Sequence, residues 1–374
     1  MRCPEELGFF DNKTESVRMG YSLFSNELDK LGFHIKSRIF FPSGDAKPAP
    51  YRVEYYREAF HSEIESIPVI NGSLDIKYVA DWIKNQTHTA LTEIYRPQST
   101  GPKPLMLLVN TIHFKGFWKT LFNEDSRARM FFHPLGGAGT DVAAVKKLAN
   151  FRVGQLGDCN ARFIELPFEN DPLFIGDSSL SMFIILPNEY ENSKWKEFLS
   201  NLKRVNLTQR LSNSTEKMVD FSIPLFNVSS ELSTNSAKSN QQSFYIELPL
   251  DSVLTFPMLT PRYETLDMGE AASKIAMRFT QHGIDFAASS GALYNKMDEE
   301  TNRMTRSLGP SENEMKAESN PTRELAEPGT EGFKVDRPFV AVVTIHGEIN
   351  STLFAAHITG IGDNLLRVNQ PNAE

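Results

Sequence analysis

The chain has 374 residues, a formal net charge of −8 and 40% hydrophobic content, enough to bury a large core and too acidic to attract nucleic acid or anionic lipid. No run of about eighteen apolar residues is present, so no membrane-spanning helix is expected, and the opening Met1-Arg2-Cys3-Pro4-Glu5 lacks the apolar stretch of a secretory signal. Two cysteines, Cys3 and Cys159, are too few for a disulfide framework or a clustered metal site and read as free thiols.

In chain order, the first periodic segment runs from Tyr78 to Tyr95. Val79, Trp82, Ile83, Ala90, Leu91 and Ile94 recur there at helical spacing, which predicts an amphipathic helix. Pro104 to Asn110 is a short apolar run that fits a strand buried on both faces, as do Ser181 to Pro187 and Val340 to Ile345. Gly136-Gly137-Ala138-Gly139 lacks a following Gly-Lys-Ser/Thr and reads as a flexible turn, not a phosphate cradle. Gly176-Asp177-Ser178-Ser179 looks like the surroundings of a serine nucleophile, but the glycines that usually follow are absent, so it reads as a turn before the Ser181 strand. The eight histidines are scattered, with no His-Glu-x-x-His spacing. Neither a metal, a cofactor nor an enzymatic activity is expected.

From Lys296 to Gly332 the sequence holds fourteen charged residues and no Val, Ile, Phe, Tyr or Trp, interrupted by Pro310, Pro321 and Pro328. Such composition predicts a long exposed loop, and strand-like stretches on both sides argue against a domain linker. Seven Asn-x-Ser/Thr sequons, at Asn12, Asn71, Asn85, Asn206, Asn213, Asn227 and Asn350, are acceptors for glycans if the chain is secreted.

The flanks of the loop carry a resemblance. Phe333-Lys334-Val335-Asp336-Arg337-Pro338-Phe339-Val340 resembles the signature that follows the reactive loop of serpins, with Ala341 departing from a larger apolar residue. Leu108-Val109-Asn110-Thr111-Ile112-His113-Phe114-Lys115-Gly116-Phe117-Trp118 is similar to a second block of that family. Weaker likenesses lie at Phe163 to Phe168, Ser181 to Pro187, Val219 to Phe226 and Leu353-Phe354, so the resemblance runs from about residue 20 to the end. It implies an α+β fold with a large central mixed sheet, smaller sheets, surrounding helices and one domain over residues 1–374, with an extended reactive loop over 291–337. The family usually opens with further helices and a strand, so an incomplete start is expected.

Function follows from the same resemblance. A serpin offers its loop to a serine protease; once cut, the arm of the loop enters the central sheet as a new strand, and the protease is trapped. Ser289-Ser290-Gly291-Ala292 stands as the hinge of that arm. Asn110, Trp118 and Gln281 match residues of the region where the sheet opens, Asn110 as a buried polar group with Gln281 in place of its usual histidine partner. Counting from the hinge lands near Thr305 and Arg306. Arg306-Ser307 is the preferred scissile bond for a trypsin-like partner, with Arg303-Met304 and Arg323-Glu324 as fallbacks. The loop is long: Gly291 to Pro338 spans 338 − 291 = 47 positions, about twice the usual spacing. Inward alternation from Ala292 reaches Lys296, Asp298 and Glu300, charges that oppose burial, while the other register presents Leu293, Asn295, Met297 and Glu299. Two readings therefore stand: a monomeric, extracellular inhibitor, or a non-inhibitory member serving as substrate, carrier or binding protein. A cytoplasmic setting is the alternative compartment.

Overall fold

The computed structural model describes residues 14–43, 50–70, 73–91, 104–170, 177–189, 191–211, 213–233, 266–296, 331–347 and 350–361. Helix α1 (Thr14–Lys30) leads into strand β1 (Phe33–Pro42), and helix α2 (Pro50–Phe60) into β2 (Ser62–Ile67). The short pair β3 (Val69–Ile70) and β4 (Ser73–Leu74) precedes helix α3 (Ile76–Gln86) and the long strand β5 (Pro104–Phe117). Next come β6 (Arg127–Phe132), β7 (Thr140–Leu156), β8 (Ala161–Pro167) and β9 (Ser179–Pro187), then helices α4 (Trp195–Leu202) and α5 (Leu207–Leu211). Strands β10 (Thr215–Pro224), β11 (Phe226–Ser233), β12 (Leu266–Phe279) and β13 (Gly283–Lys296) follow. The described chain closes with β14 (Glu331–Lys334), β15 (Phe339–His346) and β16 (Ser351–Ile358).

The chain packs as two compact units. One comprises Met1–Phe114, Ser229–Met277 and Phe286–Pro310; the other comprises Lys115–Val228, Arg278–Asp285 and Ser311–Glu374.

A six-stranded sheet runs in the order β11-β12-β13-β5-β1-β2. Strand β1 pairs antiparallel with β5, from Phe33 opposite Phe114 to Phe40 opposite Leu107, and parallel with β2. Within the first unit one face of this sheet gathers Phe40, Leu107, Val109, Ala287 and Leu293 against Val79, Trp82 and Ile83 of α3. The spacing of those three helix residues is what the sequence periodicity detects. Asp75 caps α3 by accepting from the Tyr78 N–H at 3.2 Å. The helix stops at Gln86 instead of running to Tyr95, because His88 and Thr89 adopt left-handed φ of 48° and 68°. Thr87 holds this exit: its hydroxyl donates to Ile83 O at 2.8 Å and accepts from Leu91 N at 3.3 Å. Residues 92–95 lie outside the described residues.

The second unit is built on an eight-stranded sheet ordered β14-β10-β7-β8-β9-β15-β16, with β6 also on β7. Strands β9 and β15 lie side by side and antiparallel, buried along almost their whole length. That double-sided burial is why both read as uninterrupted apolar runs. Ala341, fully buried, stands between Ile184 of β9 and Ala356 of β16.

Candidate functional site

The chain reverses direction at Thr280 to Gly283, between β12 and β13. Thr280 ties this turn with one side chain. Its hydroxyl donates to Gly283 O at 3.0 Å and accepts from the N–H groups of His282 and Gly283, each at 3.2 Å. Its own N–H donates to Gly283 O at 2.9 Å. Trp118 grips the same turn twice, through its backbone N–H to His282 O at 2.9 Å and its indole N–H to Thr280 O at 3.0 Å. The ring is 1% exposed, stacked on Phe168 at 4.8 Å and tilted against Phe279 at 5.1 Å. A buried Trp whose N–H is satisfied gives the turn a rigid floor.

Gly283 is required where it stands. A Cβ there would lie 1.8 Å from Gly116 O, so no side chain fits without moving the backbone of β5. Six residues further along, the Ser289 hydroxyl donates to Asn110 O at 3.0 Å. From Gly283 to Ser289 the contact on β5 retreats from Gly116 to Asn110, which is antiparallel neighbouring, in keeping with the place of β13 between β12 and β5.

Strand β13 is apolar on both faces. Ile284, Phe286, Ala287, Ser289 and Leu293 are all buried. Ala287 and Leu293 join the core beneath α3, while Ala292 packs toward Ile39, Phe41 and Met106 on the opposite face. Strand β13 thus has a neighbouring strand on each edge and buried side chains on both faces.

Each residue expected from the sequence now has a place. Ser289, Ser290, Gly291 and Ala292 lie within β13, past a turn centred about eight residues earlier. Asn110 is exposed, not buried; its side-chain oxygen accepts from Ser37 Oγ at 2.6 Å. Gln281 accepts from Arg127 Nε at 3.2 Å and reaches Glu124 at 3.5 Å, beside the exposed Glu124–Arg127 pair. Trp118 stands at the turn as described. Arg303, Met304, Arg306, Ser307, Arg323 and Glu324 lie outside the described residues, as do Asp298 and Glu300. Thr280, Gly283 and Gly116 were missed by sequence reasoning; the signal available was two glycines inside otherwise continuous strand patterns.

The far side of the loop is anchored firmly. Strand β14 pairs in parallel with β10, Val219 opposite Glu331 through Ser222 opposite Lys334. Phe333 is 1% exposed, covered by the Arg162 guanidinium 4.6 Å above its ring, and the same arginine donates to Gly332 O at 2.8 Å. Asp336 and Arg337 pair at 3.0 Å, and Arg337 also donates to Asn188 O at 3.2 Å.

The rival serine is closed off. Ser178 is 1% exposed, and a Cβ on Gly347 would lie 2.7 Å from its Cα, so its hydroxyl cannot meet a substrate. His346, near the end of β15, contacts Thr344 Oγ1 at 2.6 Å, and burial holds its imidazole below the usual range against an opposing pull from Glu165. Burial, reinforced by Asp158, pushes the Cys159 thiol up to about 11.

Against this geometry, a family model described as serpin, serine protease inhibitor, matches residues 4–360. The chain belongs to the serpin family. Among curated serpins, Antichymotrypsin-2 of Bombyx mori is 24% identical over 288 residues, covering 76% of this chain and 72% of that protein. A cleaved serpin 42Da superposes with a TM-score of 0.75 at 18% identity, over 96% of this chain and 85% of that one. A loop-inserted, cleaved ovalbumin mutant gives 0.65 at 16% identity, over 91% and 79%. These likenesses establish the serpin fold, and the mixed α+β architecture agrees with it.

Proposed function

We propose that this chain is a loop-insertion inhibitor of a serine protease whose arm follows the hinge Ser289-Ser290-Gly291-Ala292. The serpin match over residues 4–360 carries this reading, and the place of β13 between β12 and β5 supports it, because it brings the chain to that hinge as a strand of the central sheet. Small and uncharged Ser289, Ser290, Gly291 and Ala292 suit entry into a sheet, while Lys296, Asp298 and Glu300 follow in the sequence and oppose it.

Counted from that hinge, Arg306-Ser307 is the first candidate bond, favouring a trypsin-like protease, with Arg303-Met304 and Arg323-Glu324 behind it. The exposed sequon asparagines Asn85, Asn206, Asn213, Asn227 and Asn350 support an extracellular setting.

The test is incubation of the full chain with chymotrypsin-like and trypsin-like proteases, followed by denaturing electrophoresis and mass measurement of the released C-terminal fragment. A band of summed mass supports inhibition, and a fragment starting at Ser307, Met304 or Glu324 decides the bond. Clean cleavage without any such band sinks the inhibitory reading. A second reading, a non-inhibitory protease substrate, is favoured by Lys296, Asp298 and Glu300, charges after the hinge that oppose burial.

A further inference from the structure

Three of the eight histidines, far apart in the sequence, meet at one place in the first unit. His34 of β1 and His113 of β5 are direct partners across the antiparallel pair, so their side chains leave the same face of the sheet, while Phe33 and Phe114, stacked at 4.2 Å, take the other. His88, in the turn that ends α3, joins them: its ring centre is 4.6 Å from that of His113, edge to face, and 6.2 Å from that of His34. His113 is buried, His34 half-buried and His88 exposed, so the cluster reaches solvent through His88.

The surroundings prepare these rings for an ion. His34 Nε2 lies 3.3 Å from Gln86 Oε1, an acceptor, so Nε2 carries the proton and Nδ1 keeps its lone pair. A bond from the second ring nitrogen to an oxygen is what ordinarily orients a metal-ligating histidine. His88 is held in place at a backbone cost: it and Thr89 take left-handed φ of 48° and 68°, uncommon for residues other than glycine, and the Thr89 N–H bond to Lys84 O at 2.8 Å fixes the turn. Imidazoles that share one ion at a nitrogen–metal distance of about 2.0–2.1 Å have ring centres about 4.5–6.5 Å apart, and both observed spacings fall in that range. As the rings lie, no three His, Cys, Asp or Glu side chains among the described residues converge to hold an ion. The exposed His88 ring has to turn to complete the set.

We infer that His34, His88 and His113 form a binding site for a divalent cation of the Zn²⁺, Ni²⁺ and Cu²⁺ class, closed by rotation of His88 and completed by water. An all-imidazole set selects that class over Mg²⁺ and Ca²⁺, which take oxygen ligands. The bound ion staples the exit of α3 to the β1–β5 pair, joining three elements that the sequence separates. Its effect is therefore local, on the turn that carries His88 and Thr89.

The test uses the full chain and Zn²⁺ alone, in a Cys3→Ser background that removes a competing thiol. Calorimetric titration in excess Mg²⁺ is expected to show saturable binding of a single Zn²⁺ per chain, and hydrogen exchange over residues 86–91 to slow as the ion binds. His88→Asn, which suits a left-handed backbone and so preserves the turn, should weaken binding at least about tenfold, and His34→Gln likewise. His357→Gln, which replaces an exposed histidine of the other unit, should leave binding unchanged. Absence of saturable binding overturns the inference. Binding that both His88→Asn and His34→Gln leave at parental strength overturns it too, since the ion then sits elsewhere.

Discussion

The Ser289 hydroxyl donates to the main-chain oxygen of Asn110 at 3.0 Å, so the middle of β13 is bonded to β5 through a side chain as well as by its place in the sheet. Ser289 is 2% exposed. Ser289→Glu would place a carboxylate there without a partner, a cost of several kcal/mol. The variant is expected to lose hydrogen-exchange protection over 284–293 while the buried strands β9 and β15 keep theirs. Ser289→Ala, which loses one hydrogen bond, should cost about 1 kcal/mol. Equal protection in Ser289→Glu and the parent would contradict the burial of this position.

Gly283→Ala forces a methyl group onto Gly116 O. The backbone must yield, at about 1–3 kcal/mol, which for a chain of this size lowers the melting temperature by about 5 °C. Gly157→Ala is the control, since a Cβ there meets nothing within 4 Å. Calorimetry of the two variants side by side should show a drop only for the first.

Cys159 should behave as an inert thiol. It is buried and its pKa is pushed up to about 11, so almost no thiolate exists at pH 8. In a Cys3→Ser background, a thiol reagent is expected to label the folded chain at least about a hundredfold more slowly than the chain in denaturant. Rapid labelling of the folded form would show that the region around Leu156 and Trp195 opens.

His346 gives the fold an acid-sensitive component. Its imidazole titrates below the ordinary value of 6.5 because it is buried, so the unfolded chain binds the proton first as pH falls. The contribution of neutral His346 is complete above about pH 6.5 and is lost as pH drops through the depressed folded value. Denaturant midpoints at pH 7.5 and 5 should therefore differ less in His346→Gln than in the parent. An identical pH dependence in the two proteins would remove His346 from the account.

How far the sequence revealed all this depends on where the deciding contact lies. Strands β9 and β15 were legible because burial on both faces leaves nothing but apolar residues for the eye to find. The body of α3 was legible from Val79, Trp82 and Ile83, but its end was not, since nothing in His88 or Thr89 announces a left-handed backbone. The loop stood out by composition, and its far anchor by the Phe333 to Val340 motif. The turn before β13 did not, because the need for Gly283 comes from a tertiary contact, the carbonyl of Gly116.

The pairing of β14 with β10, and of β15 with β9, changes what a nicked molecule is. Any cut between residues 297 and 330 leaves a C-terminal piece that contributes β14, β15 and β16 to the eight-stranded sheet, with β15 seated between β9 and β16. That piece stays bound without a peptide bond, so the cleaved protein is a heterodimer of two fragments. Its recovery from denaturant becomes a second-order reaction: dilution slows reassembly of the nicked protein and leaves the intact chain unaffected, and an excess of the free C-terminal piece restores the rate.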